Sequence, residues 1–444
     1  ERAYAGWRVG TPGNVMALAS ATGPVPRHLL PDNTEISPEG RMSVGGVDLV
    51  ELAAEFGTPL FVYDEEHLRS RCREAVQVFG PGVAYATKAF LCVAMAKLAH
   101  EEGMHLDVAT LGELHVARAA GVPPSDLVFH GNNKSGAELV AAMQAGVGRI
   151  VIDSFDEIAR IEAIHADTGL IARALLRITP GVEAHTHEFI ATGQDDSKFG
   201  FTVSTGLADK AIQQASTSPA IELLGIHAHI GSQVFRIDSM RQSAAVLAEI
   251  SQRFNLPELS VGGGLGVAYV GSEEAPTISQ WGRSVLEATG DAGIDATVLA
   301  EPGRSIVATA GMTIYQVGTI KELEDIRTYV AVDGGMSDNP RPVLYGSGYE
   351  TFVPDRADAD RPEQIRLVGK HCESGDIIIR EASVPADLAV DDFLVTPVTG
   401  AYGHSLASNY NKVTRPAVVF VSHGNARLVV RRETLDDLTR LDIL

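Results

Sequence analysis

Apolar and polar positions alternate through the middle of the chain in a way that defines its elements. Short apolar runs at residues 83–87, 106–110, 127–131, 149–154, 174–180, 223–232, 259–264 and 297–304 read as strands. Amphipathic stretches separate them. EEHLRSRCREAVQVF precedes the first run, and residues 136–146 and 155–169 carry apolar side chains at the spacing of one buried helical face. Such alternation predicts a parallel α/β fold. A doubly wound open sheet would alternate in the same way locally, but eight units over this stretch favour closure into a (β/α)8 TIM-type barrel.

After Arg304 the pattern changes. The runs TYVAVDGG, QIRLVGKH, DIIIREASV, DFLVTPVTG and RPAVVFVSHG follow one another without helical stretches between them. They predict a second, mainly antiparallel β domain, to which the strand-like residues 42–50 are also assigned. The expected organisation is a flexible extension at 1–26, an N-terminal segment at 27–57 joining the β domain, the barrel at 58–305 and the C-terminal β domain at 306–444.

Composition narrows this picture. At 444 residues two domains are the default. No apolar run is long enough to span a bilayer, so no membrane partner is expected. A formal charge of −21 repels phosphate backbones and argues against nucleic acid. Cys72, Cys92 and Cys372 lie far apart without metal-ligand or disulfide spacing, so no metal is expected and a reducing cytoplasm fits. The first 26 residues lack the basic start and compact apolar core of a secretory signal.

Chemistry gathers at the C-terminal ends of the barrel strands, where barrel active sites form. Lys88 closes the first strand, Asp107 lies on the second, and His130, Gly131 and Asn132 end the third. Arg177 lies on the fifth, His227, His229, Gly231 and Ser232 on the sixth, Gly262, Gly263 and Gly264 end the seventh, and Glu301 and Arg304 follow the eighth. A lone lysine is normally a solvated charge, but one closing an apolar strand lies in the barrel mouth, where desolvation would make its amine a nucleophile toward an aldehyde. The three glycines are either a plain turn or a backbone cradle for an anion, which Ser232 could join with its hydroxyl. Glu301 either pairs structurally with Arg304 or keeps a ring nitrogen protonated. His229 is either a core histidine or a flat partner for a ring. Cys372, in HCESGD, is either an inert buried thiol or a proton donor in a polar pocket.

The motifs YATKA, HGNNK, EAHTHEF, KFGF, HIGSQ, GGGLG, EPGR, DGGMSDNPRPVLYG, HCESGD, TGAY and RRET together resemble the fold-type III pyridoxal-phosphate (PLP) decarboxylases with an alanine-racemase-like barrel, and most closely the diaminopimelate decarboxylase family. The resemblance runs from about Leu29 to the C-terminus. It implies that Lys88 carries PLP, that His229 lies against its ring and that Glu301 contacts its nitrogen. It implies that Ser232, Gly262, Gly263, Gly264, Gly303 and Arg304 hold the phosphate, while Asp107, Arg177 and Tyr402 line the cofactor. Arg304, Arg341, Tyr345, Glu373 and Tyr402 match substrate contacts. Cys372 matches a proton donor that comes from the neighbouring subunit, which implies a homodimer with shared active sites. The implied reaction is PLP-dependent decarboxylation of meso-2,6-diaminopimelate to L-lysine, the last step of lysine biosynthesis. The sequence departs from the family where GAYCYS is usual, with Gly403 and His404 in place of Cys and Tyr. Altered local packing is expected there.

Three rival readings are weaker. A decarboxylase of ornithine or arginine has no use for two arginines at the distal end of its substrate. A racemase needs a tyrosine as second base, and a dead regulator would not keep Lys88, Glu301 and Cys372 together.

Overall fold

The computed structural model describes residues 23–182 and 195–443. The EAHTHEF motif and most of the expected N-terminal extension lie outside these residues.

Eight parallel strands form the barrel: Ala84–Ala86, His105–Val108, Leu127–Phe129, Arg149–Ile152, Ala172–Thr179, Ile221–His227, Glu258–Ser260 and Thr297–Leu299. Each pairs in parallel with the next. The circle closes where the Ala84 and Ala86 N–H groups donate to the carbonyls of Ala300 and Pro302, at 2.9 and 3.0 Å. Most strands end earlier than their apolar runs, because the last residues of each run leave the ladder to form the loops at the mouth. A short extra strand, Phe201–Thr202, which begins on the last residue of the KFGF motif, pairs in parallel beside the fifth.

The period of two decides what each strand residue faces. Ala84, Val128, Val151, Leu175 and Leu224 form a small apolar cluster of their own, separate from the main core. Their strand neighbours, such as Tyr85, Phe129, Ile150 and Leu176, belong to that core, packed against the helices. The small cluster is therefore the barrel interior. Stepping by two along the same face leads from Val128 to His130, from Val151 to Asp153, from Leu175 to Arg177, and from Ala84 through Ala86 to Lys88. The polar residues at the mouth continue the interior face of each strand.

The helices predicted before the first strand and after the third and fourth are Glu65–Phe79, Gly136–Ala145 and Phe155–Thr168. The second of these starts on a capping box, in which the Ser135 side chain and that of Glu138 satisfy each other's backbone N–H. No helix among the described residues is long and apolar enough to cross a membrane.

The second sheet is mainly antiparallel. Its order is Ile377–Val384, Glu363–Val368, Arg327–Val332, Gly311–Leu323, Leu60–Asp64, Ala417–Ser422 and Asn425–Val430, with Phe393–Pro397 also beside Gly311–Leu323. Two pairs within it are parallel. The structure differs from the sequence expectation at the N-terminal side in two places. Leu60–Asp64, inside the span assigned to the barrel, pairs with Gly311–Ile314 and with Ala417–Val421 in this sheet. Its five residues are all buried and run straight into a helix, so locally they look like one more strand–helix unit. Met42–Val44 and Val47–Asp48, in turn, do not join the large sheet. They form a three-stranded meander with Thr34–Ile36, docked where the Gly424 N–H donates to the Gly45 carbonyl at 2.8 Å.

Candidate active site

A cavity of about 490 Å³ opens at the C-terminal ends of the barrel strands. Lys88, Asp107, Arg177, His229, Ser232, Gly263, Gly264, Glu301, Gly303, Arg304 and Tyr402 line it, all singled out from the sequence.

Lys88 sits on a single 3-10 turn, Thr87–Ala89, rather than at the start of a helix, which begins only at Val93. The Thr87 hydroxyl donates to the Asp107 carbonyl at 2.8 Å and ties this turn to the second strand. Lys88 itself is exposed toward the cavity. The desolvation expected from sequence is therefore not supplied by the chain's own packing.

Glu301 is the electrostatic centre. One of its oxygens meets Nε2 of His227 at 2.9 Å, and the other accepts from the Ser260 hydroxyl at 3.1 Å and lies 3.3 Å from Nε2 of His130. Arg304 is not its partner, which removes the simple structural pairing considered from the sequence. Burial is the largest single influence on Glu301 and opposes its charge, yet His227 and His130 together outweigh it and hold the carboxyl well below its usual range. Burial likewise opposes charge on His130, but Asp107 and Glu301 raise it. Asp107, buried beside Glu301, is pushed up to about 6.

His229 accepts the Gly263 N–H on its Nδ1 at 3.2 Å, which fixes the ring and leaves its proton on Nε2. Burial first, then Lys88 and Arg177, keep this ring neutral. Arg177 stacks on Phe199 at 4.1 Å and lies 3.7 Å from Asp153.

The glycine loop is a cradle. Gly262 has φ +65°, and a Cβ there would lie 2.3 Å from the Ala228 carbonyl oxygen. A Cβ on Gly263 would lie 2.2 Å from the Glu301 carbonyl oxygen. Only bare backbone fits, so the loop brings main chain rather than side chains to the edge of the cavity. With an amine, a neutral ring, an anionic carboxylate and this cradle facing one space, the residues present fit pyridoxal phosphate.

The second domain reaches the cavity through TGAY. Tyr402 adopts φ +58°, unusual for a non-glycine residue. Its N–H donates to the Ala89 carbonyl at 2.8 Å, next to Lys88. The Arg304 guanidinium lies 4.7 Å from the Tyr402 ring centroid. The departure at 403–404 is absorbed locally. A Cβ on Gly403 would lie 2.8 Å from the Thr399 carbonyl oxygen. His404 packs edge-on against Phe61 and Phe90, and burial pushes it down to about 4.

Five predicted residues do not line the cavity: Gly262, whose neighbours Gly263 and Gly264 do, and four from the second domain. Arg341 is buried beside it and half-buried Tyr345 lies on the same short helix, Arg341–Tyr345. Cys372 and Glu373 are exposed, so the described residues of this chain do not form the polar pocket expected around the thiol. The loop is nevertheless fixed. The His371 N–H donates to Asp376 at 2.8 Å and the Cys372 N–H to Asn411 at 3.3 Å.

Sequence reasoning missed Tyr269, Tyr349, Lys198 and Phe199, and named His130 and His227 only as strand ends. The step-of-two rule would have found the orientation of His130 but not that of His227, because the register shift between Leu223 and Gly225 breaks the alternation of the sixth strand. Tyr269 had only its place five residues after Gly264 to recommend it.

Comparison with known proteins gives concordant results. Residues 65–308 match the family described as pyridoxal-dependent decarboxylase, pyridoxal binding domain. Diaminopimelate decarboxylase of Mycobacterium tuberculosis is 46% identical over 434 residues, covering 93% of this chain and 97% of that one. That of Bacillus subtilis is 44% identical, covering 91% and 95%. The crystal structure of diaminopimelate decarboxylase from M. jannaschii in co-complex with L-lysine superposes with a TM-score of 0.86 at 32% identity, covering 93% and 98%.

Proposed function

The chain belongs to the pyridoxal-dependent decarboxylases, and from that premise we propose that it decarboxylates meso-2,6-diaminopimelate to L-lysine, closing lysine biosynthesis. The observation that carries this reading is the convergence of Lys88, Glu301 and the Gly262–Gly264 loop on one cavity beside two arginines, Arg304 and Arg341.

Pyridoxal phosphate, when bound, supplies an electron sink for the pair left on Cα as carbon dioxide departs. The chain's residues do the rest. Lys88 would hold the cofactor through its side-chain amine. Gly262, Gly263, Gly264, Gly303, Ser232 and Arg304 hold the phosphate end. Glu301, kept anionic by His227 and His130, holds a proton at the pyridine nitrogen. His229, neutral and fixed by Gly263, would lie against the ring, and Asp107, Arg177 and Tyr402 would border it. The distal end of the substrate carries both an amine and a carboxylate and needs partners of both signs, which Arg304, Arg341, Tyr345, Glu373 and Tyr402 supply.

Cys372 is the proton donor to Cα. Because it and Glu373 are exposed away from their own chain's cavity, they serve the site of a second copy, and the working unit is a cytoplasmic homodimer with shared sites. Their exposure on a fixed loop supports this.

The test combines two measurements. Purified holoenzyme should show visible absorbance from lysine-bound cofactor, and Lys88→Ala should abolish it. Carbon dioxide release should be fast with meso-diaminopimelate and slow with ornithine or arginine. Retained absorbance in Lys88→Ala, or preference for ornithine, would overturn the assignment.

A further inference from the structure

Tyr269 belongs to the barrel and stands five residues past the glycine loop. Its segment is held in place by a double hydrogen bond, in which the Gln233 side chain donates to the Val267 carbonyl at 2.6 Å and accepts the Val267 N–H at 3.2 Å. The Tyr269 N–H donates to Glu273 at 2.8 Å. The side chain is thus presented by a fixed backbone, and it is only 3% exposed.

Two guanidinium groups converge on this one ring. Arg304 Nη1 donates to the Tyr269 hydroxyl at 2.6 Å. The Arg341 guanidinium, from the second domain, lies over the ring face at 3.8 Å from its centroid. Arg341 also donates to the Tyr349 hydroxyl at 2.8 Å, and the Tyr349 ring stands edge-on to Tyr269 at 5.3 Å. Arg304 and Arg341 are 7% and 4% exposed, and no carboxylate of the described residues forms an ion pair with either. The Nε–H of each is buried without an acceptor. Two desolvated cations held at a set spacing, each with a donor unspent, are costly for a fold to keep unless an anion is to be bound there.

We infer that Tyr269 is a positioning residue for substrate choice: through its hydroxyl and its ring face it fixes Arg304 and Arg341 relative to each other, so that together they receive a carboxylate at the distal end of the substrate. The inference rests on the substrate reading above and adds the residue that sets its selectivity. Tyr269 touches no reacting atom. It acts through the two arginines, by a hydrogen bond to one and by stacking under the other.

The test uses wild-type and Tyr269→Phe holoenzymes. Phenylalanine keeps the ring under Arg341 and removes only the hydroxyl that accepts from Arg304 Nη1, while the Arg304 hydrogen bond to Ser232 remains. KM for meso-diaminopimelate should rise about tenfold, the usual effect of losing a hydrogen bond to a charged group, with kcat within about twofold. Inhibition should separate the carboxylate from the rest of the ligand. L-lysine keeps the distal carboxylate, and its inhibition constant should rise about tenfold, whereas that of 1,5-diaminopentane, which lacks it, should not change. The visible absorbance of the bound cofactor should be the same in both proteins. Tyr269→Leu, which also removes the stacking, should weaken L-lysine by about a further tenfold. Unchanged constants for substrate and L-lysine in Tyr269→Phe would overturn the inference, as would equal weakening of both inhibitors, which marks a merely structural role. A wild type that releases no carbon dioxide from meso-diaminopimelate would overturn the substrate reading itself, and this inference with it.

Discussion

At the barrel mouth Glu301 is 6% exposed, and its two oxygens are shared among His227, Ser260 and His130. On the loop 371–376 the Cys372 thiol stands in the open, while the backbone beneath it is held by Asp376 and Asn411. The first region pairs its central carboxylate within one chain. The second is tied down by hydrogen bonds to its own chain while Cys372 and Glu373 stay exposed. The difference separates two tasks. Holding a cofactor needs a buried, preorganised charge pattern, which a single barrel can build. Delivering a proton to a carbon and gripping a distal zwitterion needs groups from the open side of the cavity, which a barrel closed at its floor cannot reach with its own strands.

The comparison can be broken most forcefully at Glu301. Glu301→Gln keeps the shape and removes the charge that His227 and His130 stabilise. It should lower kcat by about 10²–10³-fold, the range for losing one preorganised charge in a buried site, while cofactor stays bound by absorbance. A smaller loss than about threefold would mean that the buried charge is not what the barrel mouth supplies.

Gly263→Ala tests the cradle. Its Cβ would fall 2.2 Å from the Glu301 carbonyl oxygen, so the loop must shift. Overpacking of this kind costs about 1–3 kcal/mol, and cofactor affinity in an absorbance titration should fall by at least tenfold. The exposed loop offers a control, since Glu373→Ala should leave cofactor affinity alone.

The smallest expected effect lies between the two regions. His404 anchors the loop that carries Tyr402 over the mouth, and burial lowers it from 6.5 to about 4. A lowered value in the folded state means that the unfolded chain binds the proton more readily. This contribution to stability is therefore complete above pH 6.5 and is lost as pH falls toward 4. The loss is at most about 3 kcal/mol. His404→Phe should show a smaller drop in melting temperature between pH 7 and 4.5 than the wild type.

Much of this was legible in the sequence, for a physical reason. In a parallel barrel the period of two and the strand ends fix which residues meet, so Lys88, Asp107, Arg177 and Glu301 could be placed from local pattern alone. Leu60–Asp64 could not, because a buried run followed by a helix looks the same whichever sheet it enters. Tyr269 could not, because its significance comes from Arg341, which is far away in sequence and arrives from another domain. Cys372 could be read from the sequence as either an inert or a proton-donating thiol, but its exposure could not, because exposure is a property of the folded surface.

The central claim is that the exposed loop completes the mouth of a second chain. Co-expressing Lys88→Ala and Cys372→Ala chains tests it directly, since each alone should be nearly inactive. In a mixed dimer one site carries both defects and the other carries neither. Random pairing should therefore restore about a quarter of wild-type carbon dioxide release from meso-diaminopimelate. A mixture no more active than the two variants measured separately would contradict the account.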